Sequence, residues 1–194
     1  MKRDAGFSLL ELLRACSLGL LVFGVAASAL LSEQKLGSRM GGLLRQRQLL
    51  LRANQLIAAD VQRGIALAPE LVSPCHLAGR KRWLQLLNAD GSITTYSIGK
   101  APSGIWQGEV LMRCGPAYGL DGRIKAGTPP QNRVVLDGLV PSSQAWAGCS
   151  LPKAETFSEA PVCWEPASGV VQWQLQRTSN RVTTQKDGQA LLKG

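Results

Sequence analysis

Glu11 stands inside a long apolar run, and its chemistry is that of a charge that has to be paired. Residues Ala15 to Leu31 carry no charged side chain, and the 25 residues from Phe7 to Leu31 are interrupted only by Glu11 and Arg14. At about 1.5 Å per helical residue that length crosses a bilayer. A carboxylate in such a segment is costly unless a cation meets it. Arg14 is in reach at i, i+3, or else extends to the headgroups along its own methylenes.

The other chemistry-bearing residues are five cysteines and one histidine. Cys16 lies in the apolar run, and Cys75, Cys114, Cys149 and Cys163 lie beyond it. An even number outside the membrane segment points to disulfides and an oxidising compartment. Three pairings are open. Cys75–Cys114 with Cys149–Cys163 is favoured, because the second bridge closes a short loop containing Pro and Ser that has little other means of ordering itself. There is no C-x-x-C, and Cys75-His76 are followed by a cysteine only 38 residues later, which argues against zinc. His76 is the only histidine, and no nucleophile motif surrounds it. Neither a P-loop nor a Rossmann glycine pattern is present, and the Asp-Gly pairs at 90, 121, 137 and 187 read as turns. The expectation is a protein that is not an enzyme and that needs no cofactor or metal.

Three readings of the N-terminus compete. Lys2, Arg3 and Arg14, then Cys16 to Ala26, then Ala27-Ser28-Ala29, have the layout of a cleaved secretory signal. A plain transmembrane anchor with an incidental glutamate is the second. In the third, Gly6-Phe7-Ser8-Leu9-Leu10-Glu11-Leu12-Leu13 forms a unit that closely resembles the class III leader of type IV prepilins and type II secretion pseudopilins. A lipoprotein is disfavoured, since Cys16 precedes the apolar run instead of following it.

The resemblance implies that residues 1–6 are a leader, that a prepilin peptidase cuts between Gly6 and Phe7, and that Phe7 is N-methylated. It implies that Glu11 meets the terminal amine of a neighbouring subunit, so that two charges neutralise each other in the core of a fibre. Arg14 departs from the family's uninterrupted apolar pattern. The partners implied are other major and minor pilin subunits, the prepilin peptidase and the bacterial inner membrane. The C-terminal part would be periplasmic, then part of a pilus or pseudopilus.

The elements that must position these residues follow from periodicity. Leu43, Leu50, Ile57, Val61 and Ile65, with Ala53 and Ala68, form an apolar stripe at helical spacing. Arg45, Gln48, Arg52, Gln55, Gln62 and Arg63 take the other face, and Pro69 ends the run. A helix is therefore predicted over 7–68, with 7–31 for membrane or fibre core and 43–68 amphipathic. Gly37, Gly41 and Gly42 weaken it in between.

Residues 69–194 read as a β-rich, disulfide-containing domain. Trp83 to Leu87 and Ile93 to Ile98 flank the turn Asn88-Ala89-Asp90-Gly91 as a hairpin. Glu109 to Cys114, Arg133 to Leu136 and Val170 to Gln176 are further strands, the last alternating apolar with Gln. Their order resembles the pseudopilin J and pilus-assembly W groups of minor pilins. The fold class expected is α+β and pilin-like, a long N-terminal helix packed on a small antiparallel sheet.

The formal charge of +9 divides into +5 over residues 1–68 and +4 over residues 69–194. Five tryptophans, Trp83, Trp106, Trp146, Trp164 and Trp173, with that mild basicity leave a second reading, a membrane-anchored periplasmic domain that binds DNA during uptake and does not polymerise. Tryptophans at strand spacing more often belong to a core.

Overall fold

Residues Leu9–Val61 form one α-helix, α1, in the computed structural model, which describes residues 9–119, 121–125, 127–140, 148–152, 154–156, 161–179 and 182–193. The chain divides into two units, the first ending at Arg45 and the second beginning at Gln46. In the first unit every described residue from Leu9 to Arg45 is helical, including Gly37, Gly41 and Gly42.

In the second unit the stripe read from the sequence becomes a buried face. Gln46, Leu50, Ala53, Ile57, Asp60 and Val61 are buried at spacings of three and four. Leu50, Ala53, Ile57 and Val61 pack into one core with Trp83, Leu86, Tyr96, Leu111, Leu136, Val171, Trp173 and Leu175.

The helix stops at Val61, short of the predicted end at residue 68. Gly64–Leu67 form strand β1, and Ile65, expected on the buried stripe, is 44% exposed. Pairing to the next strand, with Leu67 opposite Leu86, takes up the backbone groups that a longer helix would have used. Gly64 also admits little else, since a Cβ there would lie 3.3 Å from Leu192, Leu86 and the Val61 carbonyl.

Eight more strands follow: β2 (Lys81–Asn88), β3 (Ile93–Lys100), β4 (Glu109–Gly115), β5 (Gln131–Leu139), β6 (Glu155–Thr156), β7 (Val162–Glu165), β8 (Val170–Ser179) and β9 (Val182–Leu191). Among the described residues they form one sheet in the order β1-β2-β3-β4-β5-β8-β7-β6, with β9 also on β8, and all pairs are antiparallel. The fold is α+β and pilin-like, with a helix of apolar N-terminal half whose later turns lie on an antiparallel sheet.

Strand alternation separates the two faces of β2–β4. Leu84, Leu86, Tyr96 and Leu111 belong to the core that includes α1. Gln85 faces the connection before β2, its amide donating to the Leu71 carbonyl at 2.6 Å, while Arg82 donates to the Pro69 and Leu71 carbonyls at 2.6 and 3.0 Å. Cys75 in that connection is bonded to Cys114 on β4.

Candidate functional site

Within the first unit, residues 15–31 are apolar on every side. Leu9, Leu10, Leu12, Leu13, Leu18 and Leu20 are all exposed, and so are Leu21, Val22, Phe23 and Val25. Consecutive exposed positions leave no polar face, so this segment is a candidate for lipid or for the side of another helix, by length and composition. Its serines are already satisfied: Ser17, Ser28 and Ser32 donate to the Arg14, Val25 and Ala29 carbonyls at 2.9, 2.8 and 2.7 Å. A hydroxyl bonded back to the preceding turn loses little on leaving water. Glu11 is exposed in the first described turn of α1, and Cys16 is an exposed free thiol. Gly6 and Phe7, and with them the leader, lie outside the described residues, as does Trp146.

The second unit fastens the end of α1 through Asp60, a residue that the reading of the sequence did not single out. Asp60 lies on the buried stripe between Ile57 and Val61 and is itself 1% exposed. Its carboxylate sits near the negative end of the helix dipole, where it is disfavoured without cations. Arg113, from β4, supplies one with two prongs: Nε donates to Oδ2 at 2.6 Å and Nη2 to Oδ1 at 3.0 Å. Tyr96 from β3 donates to Oδ2 at 2.5 Å, Tyr118 donates to Oδ1 at 2.9 Å, and Arg63 is bonded to Oδ1 as well. The guanidinium carbons of Arg63 and Arg113 lie 4.7 and 4.8 Å from the centre of the Tyr118 ring.

Burial, and after it the negative charge of Asp60, push the Tyr96 hydroxyl well above its ordinary range. Burial pulls Arg113 down, but its hydrogen bond and attraction to Asp60 outweigh this, and its affinity for the proton rises. Tyr96 therefore keeps its proton and Arg113 its charge, and both meet the Asp60 carboxyl group. The cluster's chemistry is that of a fastening, since each polar atom of the carboxylate is already used.

A second fastening joins α1 to β8 and β9. Trp173 Nε1 donates to Asn54 Oδ1 at 2.5 Å, and Asn54 Nδ2 donates to the Asp187 carbonyl at 3.1 Å. The helix comes so close here that a Cβ on Gly188 would stand 2.2 Å from Asn54 Oδ1 and 2.3 Å from the Trp173 ring. About two turns earlier Gln46 donates to the Ser179 carbonyl at 3.2 Å and accepts from Thr184 at 3.0 Å.

The four cysteines beyond the apolar segment form Cys75–Cys114 and Cys149–Cys163, with Cα atoms 6.0 and 6.2 Å apart. Two disulfides with one apolar helix that could span a membrane suggest an oxidising environment for the second unit. His76 is exposed in the connection before β2. Trp83 and Trp173 are buried in the core and Trp164 packs partly against it, so Trp106 is the described tryptophan most open to solvent. No family model, no curated protein and no solved structure matches this chain.

Proposed function

We propose that the chain is a minor pilin or pseudopilin, a structural subunit that is trimmed of residues 1–6 and then enters, primes or caps a type IV pilus or a secretion pseudopilus. The observation that carries this reading is α1 itself. Its turns up to Leu31 expose apolar side chains all round, with a single acidic residue in the first described turn, and residues 46–61 of the same helix are committed to the sheet. A helix of this kind serves equally in lipid and among other helices, which is what a subunit that leaves a membrane for a fibre requires.

The resemblance at residues 6–13 supplies the mechanism. A prepilin peptidase on the cytoplasmic side releases the amine of Phe7, which is then methylated. Glu11 of an entering subunit meets the amine of its neighbour, and the match of the two charges in an apolar setting fixes the axial register between helices. The second unit lies in the periplasm, where its disulfides form, and other pilin subunits are its partners. Catalysis has no part in this role.

The competing reading, an anchored periplasmic domain that holds DNA, has to draw its stacking surface from few rings, because Trp83 and Trp173 are committed to the core. Mass spectrometry of the mature chain decides between them. Methylated Phe7 is the expected terminus, and an uncut Met1 or a terminus at Leu30 overturns the proposal. Glu11→Ala is expected to leave the second unit folded by circular dichroism while abolishing recovery of the subunit in sheared fibres.

A further inference from the structure

A groove of about 320 Å³ opens between α1 and strands β4 and β5. Its apolar walls include Leu56 and Val135, and two of its arginines, Arg52 on α1 and Arg133 on β5, are exposed and have no ion-pair partner among the described residues. The Oε1 atom of Gln131, also in the groove, is buried and receives no hydrogen bond. Unmatched cations over an apolar floor, with an acceptor in need of an N–H, define what fits there. The occupant is a peptide segment with carboxylates, apolar surface and free backbone donors.

The chain itself carries such a segment. From residue 154 to residue 176 there is no Lys or Arg, in a chain of formal charge +9, and Glu155 and Glu165 lie on the hairpin formed by β6 and β7. Glu155 is exposed and accepts a hydrogen bond at 3.2 Å from Trp164, which is only partly buried and supplies apolar surface beside the carboxylate. β6 ends the path of the sheet, so its outer backbone groups pair with no described strand.

We propose that the Arg52–Arg133 groove of one copy receives the acidic β6–β7 hairpin of a second copy. Within one chain the hairpin is held to β8 through β7, and none of its described residues lines the groove. The contact uses two different patches of the chain: engaged reciprocally it closes a two-fold dimer, and engaged head-to-tail it builds a ring or a filament. This deepens the subunit reading above by naming a lateral contact between folded domains that is separate from the apolar helix.

The test is a charge swap with the full-length chain in detergent, micelles being in excess over chains, and association read by energy transfer between donor- and acceptor-labelled copies. R52E/R133E alone and E155K/E165K alone are each expected to weaken association about tenfold at low salt. An equimolar mixture of the two double variants is expected to recover it, since the reversed groove then meets the reversed hairpin. Wild-type copies that do not associate, variants that associate as the wild type does, or a mixture that fails to recover all overturn the proposal. Unchanged melting curves of the two variants guard against misfolding as the cause of a loss. The swap does not depend on what happens at Phe7, so this contact and the pilin reading fail separately.

Discussion

Asp60 takes part in more hydrogen bonds than Asn54 or Gln46, the other polar side chains that tie α1 to the sheet. Five hydrogen bonds from Arg63, Tyr96, Arg113 and Tyr118 converge on its two oxygens. Removing one member of a buried ion pair leaves the other charge stranded, so Asp60→Asn is expected to cost about 3 kcal/mol or more in urea unfolding. Asp60→Leu combined with Arg113→Met should recover part of that loss, because the stranded charge is gone. If Asp60→Asn unfolds at the wild-type midpoint, the cluster is ornamental. Tyr96 gives the same site a pH signature. A folded value above the unfolded value of about 10 means that its contribution is complete below pH 10 and fades as pH rises through the folded value. Stability should therefore fall more steeply above pH 10 in the wild type than in Tyr96→Phe, and identical alkaline profiles would refute it. Asp60 was legible in principle, as an acid on an apolar stripe. Its partner was not, because nothing in the local pattern around Arg113 says which face of β4 meets the helix.

At the scale of elements, the helix and the strands differed in how much their sequences disclosed. The stripe Leu50, Ala53, Ile57 and Val61 is readable because burial on one side of a helix recurs every three or four residues. β8 is readable because Val171, Trp173 and Leu175 alternate with Gln. β9 was missed for the opposite reason: from Val182 to Gln189 its side chains are exposed or only partly buried, and what makes it a strand is ten-residue pairing to β8. The end of α1 was overrun because Ile65 continues the apolar spacing, whereas the competing β pairing is invisible until β2 is in place. The closest helix–strand approach, at Gly188, gives an element-level prediction. Gly188→Ala is expected to cost about 1–3 kcal/mol by forcing Asn54 and Trp173 apart. Gly104→Ala, whose added methyl meets nothing within 4 Å, serves as the control and should change stability by less than about 0.5 kcal/mol. Equal effects at the two sites would contradict the packing described.

For the whole molecule, the two disulfides tie connections to strands that the helix also needs. Cys75–Cys114 spans 39 residues and Cys149–Cys163 spans 14. Chain entropy assigns closures of those lengths about 4 and 3 kcal/mol respectively. Paired Cys→Ser replacement at 75 and 114 should therefore lower stability more than replacement at 149 and 163, as read by thermal melts under non-reducing conditions. The reverse order would show that loop length is not what decides. Fold class was legible at this scale because an apolar N-terminal helix and a strand-rich remainder differ in composition. Strand order was not, since β5 meets β8 across only Leu139 and Arg177, assisted by the Arg177–Asp137 ion pair.

The hydrogen bonds between α1 and the last two strands also set a schedule. Gln46 waits for Thr184, 138 residues later, and Asn54 waits for Trp173, 119 residues later. At about 5–20 residues per second, a ribosome needs roughly 7 to 30 s to make the first of those intervals. During that time the apolar stripe of residues 46–61 exists without β8 and β9, which complete its cover, and the chain depends on whatever shields the part still bare.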